Sequence, residues 1–341
     1  MRVAVYYNNK DVRLEERPKP KIGPGEILVK IIASGICGSD VMEWYRIKKA
    51  PLVLGHEVSG VVEEVGEGVK NYKKGDRVFV THHVSCNSCR YCQSGQHTVC
   101  ETLKKTSFDP GGFSEYVRVP RINVENGTIL LPKELSFEDG TFVEPLGCVI
   151  RGQRVANVGK GNTVLVVGSG ISGLLHIQLA KALGAARVIA TDVSEYRLKA
   201  AKKLGADFVM NAKEFTPEKL CSVNESRLAD RVIVCTAAMP AIKQAMQSVD
   251  KGGTILFFAP TGPGVDVPVP LLDMWSRCAT MTTSYAAVTK DLQEAIRLIK
   301  EKKINVKDMV THRFGLAETG TGFKLVADAG ESIKVIIEPQ R

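Results

Sequence analysis

The stretch TVLVVGSGISGLLHIQLA, residues 163–180, restricts the fold of this chain more than any other part of it. A run of buried-strand length passes through a glycine-rich turn into a helical pattern. Gly168, Gly170 and Gly173 fall in a GxGxxG spacing, and Asp192 follows 19 residues after Gly173 at the end of the next apolar run. Each position has a physical reason in a dinucleotide site. Gly168 permits the tight turn, Gly170 lets a pyrophosphate approach the backbone, and Gly173 allows close packing of helix on strand. Ile171 and Ser172 open the helix, whose unpaired N–H groups attract phosphate. Asp192 can accept hydrogen bonds from an adenosine ribose and would repel a 2′-phosphate, which favours NAD over NADP. Arg197, one helical turn further, suits either a cover for the adenine or a solvated surface.

The same alternation continues. RVIATD, DRVIVCTA and GTILFFA read as buried strands, with SEYRLKAAKKLG and PAIKQAMQSV as helices between them. Gly184 and Gly205 stand where helices should end. Strands alternating with helices predict a doubly wound parallel sheet. The first 145 or so residues differ: EILVKIIASG, SGVVEEVGEGV and GDRVFV are short β-branched runs broken by Gly and Pro, the texture of mostly antiparallel structure. After Tyr285 a helix, TKDLQEAIRLIKEKK, leads to the strand-like KVIIEP, a tail expected to return to the first domain. The expected division is residues 1–146 with 286–341, and 147–285.

Nine cysteines, without a recognisable secretion signal, point to reduced thiols or metal ligands. A cytoplasmic protein is expected, with no membrane span, since no stretch approaches about 20 apolar residues. The net charge of +9 is spread among acidic residues, as in ERPKPK and VKNYKKGDR, so it makes no case for nucleic acid.

Four cysteines, Cys86, Cys89, Cys92 and Cys100, form a C-x2-C-x2-C-x7-C run. Four thiolates complete a tetrahedral Zn²⁺ and leave no position for substrate, so this reads as a structural site. An iron–sulfur cluster or a redox centre also takes four thiols. The reactive centre is sought instead in three separated stretches. GICGSD carries Cys37, LGHE carries His56 and Glu57, and FVEPLGC carries Glu144. Together they offer a thiolate, an imidazole and carboxylates, a mixed set able to hold zinc with one position open for Lewis-acid catalysis.

In this order, CGSD, GHE, the four-cysteine run, VEPL and the GxGxxG–Asp unit resemble the zinc-dependent medium-chain alcohol dehydrogenases over essentially the whole chain. The glutamate at VEP is similar to the sorbitol and L-threonine dehydrogenase branch. The resemblance implies a GroES-like catalytic domain beside a Rossmann domain, two zinc ions per subunit, and a homotetramer or homodimer. It implies that Cys37, His56 and Glu57 or Glu144 bind the catalytic zinc, the glutamates exchanging with water. It also implies that Ser39 receives the alcohol proton.

The expected reaction is oxidation of a secondary alcohol of a polyol by NAD. Members usually pass the proton on to a histidine five residues after the zinc cysteine; here that residue is Met42, whose thioether cannot carry it. Glu43 and Glu57 are the nearby substitutes, with Ser39 and water as the other route. The departure lowers the L-threonine reading and keeps a sugar-alcohol phosphate in view. A non-catalytic NAD- or nucleic-acid-binding protein is the competing reading from another class, and the intact mixed ligand set argues against it. Glu43, Trp44, Tyr45, Phe108, Phe113, Phe258, Trp275 and Arg277 are candidates to line the substrate pocket, with packing the alternative for Trp44.

Overall fold

The computed structural model describes residues 1–341, which form two compact units. One comprises Met1–Gly147, Ala286–Glu301 and Val306–Arg341; the other comprises Cys148–Tyr285 and Lys302–Asn305. The short Lys302–Asn305 segment belongs with the second because Asn305 is bonded twice to Gln178, its N–H donating to Oε1 at 2.7 Å and its carbonyl accepting from Nε2 at 3.2 Å.

The first unit is built on a seven-stranded sheet. Strand Ile27–Gly35 pairs antiparallel with Glu57–Val65, with Tyr116–Val119 and with Lys334–Glu338. Glu57–Val65 continues to Arg77–Val80 and then to Thr128–Leu130. On the other side, Lys334–Glu338 pairs parallel with Val310–Gly315. The C-terminal strand thus lies in the same sheet as the chain's early strands. A second sheet orders Asp11–Glu16, Arg2–Asn8 and Leu52–Val53. Val29, Ile31, Val58, Val62, Val78 and Val80 fill one core, alternating along their strands as a half-buried antiparallel sheet requires.

The second unit is a six-stranded parallel sheet. Its spatial order is Phe208–Asn211, Arg187–Asp192, Thr163–Val167, Ala229–Val234, Val249–Phe257 and Thr280–Thr283. Numbered along the chain this is 3-2-1-4-5-6, whose direction of winding reverses beside Thr163–Val167, the place where such sheets bind dinucleotides. All five residues of Thr163–Val167 are buried, as in a strand covered on both faces. Helices Ile171–Ala182 and Glu195–Lys203 end at Gly184 (φ +84°) and Gly205 (φ +110°), left-handed positions that relieve the last carbonyls.

Candidate metal centres and dinucleotide site

The sulfurs of Cys86, Cys89, Cys92 and Cys100 all lie within 4.8 Å of one another. Asn87 (φ 59°) turns the chain back toward its own thiols, and a short helix, Arg90–Gln93, carries Cys92. Backbone N–H groups point at sulfur: Cys89 donates to Cys86 Sγ at 3.3 Å and Cys86 to Cys100 Sγ at 3.5 Å. Such bonds from Ser88 and Cys89 hold the Cys86 thiol down at about 5, so it is a thiolate ready to ligate. The donor set is all sulfur and complete at four, which fits a closed zinc site.

A second group unites Cys37, His56 and Glu57, whose ligand atoms also lie within 4.8 Å of one another. Sheet register accounts for much of this. Gly35 pairs with Glu57 across the antiparallel ladder, so Cys37, just past the strand's end, meets the start of Glu57–Val65. Asp40, wholly buried, ties the loop together. Its Oδ2 accepts the Cys37 N–H at 3.0 Å, and its Oδ1 faces His56 Nδ1 at 3.3 Å and Arg46 Nη2 at 3.5 Å. Burial opposes the Asp40 charge, but His56, Arg46 and the Cys37 N–H outweigh it and hold the carboxyl below its usual range. With Nδ1 engaged by Asp40, Nε2 of His56 is left to ligate, the usual carboxylate–imidazole arrangement behind a metal.

Glu57 is shared. Its Oε2 accepts from Lys334 Nζ, both side chains being buried, while its Oε1 is buried without any partner. A lone carboxylate oxygen shut away from water beside a thiol and an imidazole is a strong indication of a cation site. The donors therefore fit zinc, with three protein ligands rather than four. Glu144 lies outside this tight set, in the first turn of helix Val143–Val155 and half-buried.

Ser39 lies beside the centre. Its N–H donates to Cys37 Sγ at 3.4 Å, and its Oγ accepts from Arg46 Nη2 at 3.1 Å. Met42 caps the short helix Glu43–Arg46, and Glu43 accepts the backbone N–H of Asn9 at 3.1 Å. Two histidines that the sequence does not single out pack here with tilted rings: His82 against His56 (ring centroids 4.8 Å) and His83 against His82 (3.7 Å). Burial, then the charges of His56, Arg46 and Lys49, push His83 down to about 4. The sequence does not single out Lys334 or Arg46 either. Lys334 stands 277 residues from Glu57, and nothing near it in sequence announces the pairing.

In the second unit, Gly168 has φ +93° and Gly170 caps helix Ile171–Ala182 with nothing within 4 Å of where a Cβ would stand. At Gly173 the same Cβ would strike the carbonyl oxygen of Gly168. The turn is thus tight at the first and third glycines and open at the second, the cradle a pyrophosphate requires. Ile171 and Ser172, partly exposed, form the first turn behind it. Asp192 is buried at its strand's end and accepts N–H groups from Ser169 (2.7 Å) and Ser194 (2.9 Å), which fix its carboxylate beside the glycine turn. Arg197 follows in the next helix, its N–H donating to Ser194 Oγ at 3.4 Å.

Of the pocket candidates, Phe108 and Phe113 are core residues, and Phe258 packs edge-on against buried His176 at 4.6 Å. Trp275 is largely exposed, and Arg277 is bonded to Asp273 (2.9 Å) and to the Val249 carbonyl (3.0 Å).

Residues 23–129 match the alcohol dehydrogenase GroES-like domain family and residues 172–301 the zinc-binding dehydrogenase family. Sorbitol dehydrogenase of Gallus gallus is 34% identical over 346 residues, spanning 98% of this chain and 95% of its own length. Two solved structures are similar throughout. Alcohol dehydrogenase TADH from Thermus sp. ATN1 has a TM-score of 0.88 at 30% identity, over 99% of each chain. Galactitol-1-phosphate dehydrogenase from Escherichia coli has a TM-score of 0.87 at 27% identity, over 99% of this chain and 100% of its own. The chain belongs to the zinc-dependent medium-chain alcohol dehydrogenase superfamily, in its polyol branch. It is an oxidoreductase that uses zinc and NAD.

Proposed function

We propose that the protein oxidises a secondary hydroxyl of a sorbitol-like polyol to the ketone, with Cys37, His56 and Glu57 holding the catalytic zinc. Glu144 serves as an exchanging carboxylate. Cys86, Cys89, Cys92 and Cys100 hold the structural zinc, and Gly168, Gly170, Ile171, Ser172, Gly173, Asp192 and Arg197 form the NAD site. The observation that carries this reading is the contrast between the two ligand groups, one saturated by four thiols and one left at three mixed donors beside an orphaned carboxylate oxygen.

When bound, the zinc supplies a Lewis acid that brings a hydroxyl proton within reach near neutral pH, and the nicotinamide supplies the hydride acceptor. The chain's own groups do the rest. Asp40 keeps His56 in one tautomer and orientation. Ser39, held against Cys37 and Arg46, accepts the substrate's proton at Oγ and releases its own to water, since Met42 has no capacity to carry one. Glu43 is turned away to Asn9 and takes no part. Lys334 holds Glu57 in place through its Oε2.

The protein works as a homo-oligomer on this reading. Leu271, Leu272 and Trp275 stand 70%, 78% and 73% exposed on one short helix, and strand Thr280–Thr283 ends its sheet with an unpaired edge. None of the nine cysteines is in a disulfide, in keeping with a reducing, cytoplasmic setting.

The test is direct. Zinc-loaded protein is offered sorbitol, xylitol and L-threonine with NAD or NADP, and absorbance of the reduced cofactor is followed. Polyol-dependent NADH formation supports the reading; turnover confined to L-threonine, or absent with every alcohol, overturns it.

A further inference from the structure

We infer that Arg46 and Lys49, set about the ring of Tyr45, form an anion-binding subsite beside the Cys37–His56–Glu57 group, so that the preferred substrate is a polyol bearing a phosphate or carboxylate. This inference rests on the polyol reading above.

Arg46 is already aimed. Its Nε donates to the Ser39 carbonyl at 2.9 Å and its Nη2 to Ser39 Oγ at 3.1 Å, with Asp40 Oδ1 at 3.5 Å, while its Nη1 has no partner in the chain. A guanidinium fixed along one edge presents its remaining donors at a set angle, the geometry that suits a planar or tetrahedral oxyanion. Its Cζ stands 4.7 Å from the Tyr45 ring centroid, and Lys49 Nζ stands 5.8 Å from the same centroid. The two cations therefore share one aromatic wall. Lys49 has no carboxylate partner and Lys48, also exposed, adds charge alongside.

Arg46 bonds Ser39, whose N–H donates to Cys37 Sγ at 3.4 Å, and it faces Asp40, which stands 3.3 Å from His56 Nδ1; this places the pair of cations on the side of the candidate zinc ligands. The acids of this region are fewer than its cations. Asp40 faces Arg46 and His56, Glu57 answers Lys334, and Glu43 accepts the Asn9 N–H. A substrate reaching Ser39 thus meets Arg46, Lys48 and Lys49 set against Asp40 and Glu43, an excess of positive charge. A purely structural role for Arg46, clamping Ser39 and Asp40, leaves unexplained why unpaired Lys49 flanks the same ring.

The test uses full-length, zinc-loaded protein with NAD and three compounds of matched carbon skeleton: sorbitol, sorbitol 6-phosphate and gluconate. The subsite predicts kcat/KM for one anionic compound at least about tenfold above that for sorbitol, as expected for one well-placed charged contact. The preferred anion tells phosphate from carboxylate. Lys49→Gln should lose about five- to tenfold of that preference through KM, with Lys49→Arg restoring it. Lys251→Gln, an exposed lysine in the other unit, should change nothing. Inorganic phosphate titrated by calorimetry into wild type and Lys49→Gln gives a readout independent of turnover, with weaker binding to the variant expected. Equal kcat/KM for sorbitol and both anions overturns the subsite and leaves polyol oxidation standing. No turnover of any compound, with phosphate binding still dependent on Lys49, overturns polyol oxidation and leaves the subsite standing. Phosphate binding absent, or unchanged in Lys49→Gln, overturns the subsite.

Discussion

Lys334 and Glu57 form an ion pair closed off from water, the lysine 0% and the glutamate 1% exposed, at the edge of the Cys37–His56–Glu57 group. Two charges so placed are costly to bury, and removing one leaves the other stranded. The pair also leaves little room. A methyl group at Gly35 would collide with both side chains.

Lys334→Met should therefore destabilise the zinc-free protein by about 3–5 kcal/mol, because Glu57 is left buried with neither lysine nor metal beside it. Adding Glu57→Gln to that variant should recover much of the loss, since no isolated charge remains. Urea denaturation of the four proteins in this cycle measures it. A single-variant loss below about 1 kcal/mol would show that the pair is not closed to solvent.

Asp192 predicts a change in cofactor choice. Asp192→Ser removes the charge that opposes a 2′-phosphate and the acceptors for the Ser169 and Ser194 N–H groups. KM for NAD should rise by about tenfold or more, the cost of a lost charged hydrogen bond, while the NADP-to-NAD ratio of kcat/KM increases. An unchanged ratio would move the ribose contact to some other residue.

His176 makes stability depend on pH. It is fully buried, its Nδ1 is 3.2 Å from Gln153 Nε2, and burial pushes it down to about 3. The folded protein thus resists protonating a group that the unfolded chain protonates near 6.5. The stabilisation is complete above about 6.5 and is lost as pH falls toward 3, at about 1.4 kcal/mol per pH unit. Denaturation between pH 7 and pH 4 should show a shallower slope for His176→Gln than for wild type. Parallel slopes would mean that His176 takes up its proton in the folded state.

The second unit was legible because its signals are local. Gly168, Gly173, Gly184 and Gly205 act through their own backbone angles or a neighbour's carbonyl, and each stands at a turn that strand and helix periodicity already mark. The thiol run was equally plain, since Cys86 to Cys100 sit in one short loop. The other metal group was different. Cys37, His56 and Glu57 are brought together by the register of Ile27–Gly35 against Glu57–Val65, which no residue pattern specifies, and they were picked out with the help of a family resemblance. Lys334 depends on the C-terminal strand's place in that sheet, and Arg46 on how the chain turns after Ser39. Phe108 and Phe113 were drawn toward the substrate by their aromatic character, whereas the structure uses them as core.

Zinc content per chain, read beside NADH formation in wild type, Cys37→Ala and Cys92→Ala, tests the central claim most directly. Two ligand groups of unequal completeness predict about two zinc ions in wild type. Cys37→Ala should hold about one and form no NADH from polyol; Cys92→Ala should lose the other ion along with several kcal/mol of stability. A Cys37→Ala protein that keeps both ions, or still oxidises polyol at the wild-type rate, would contradict the assignment of the open centre to Cys37, His56 and Glu57.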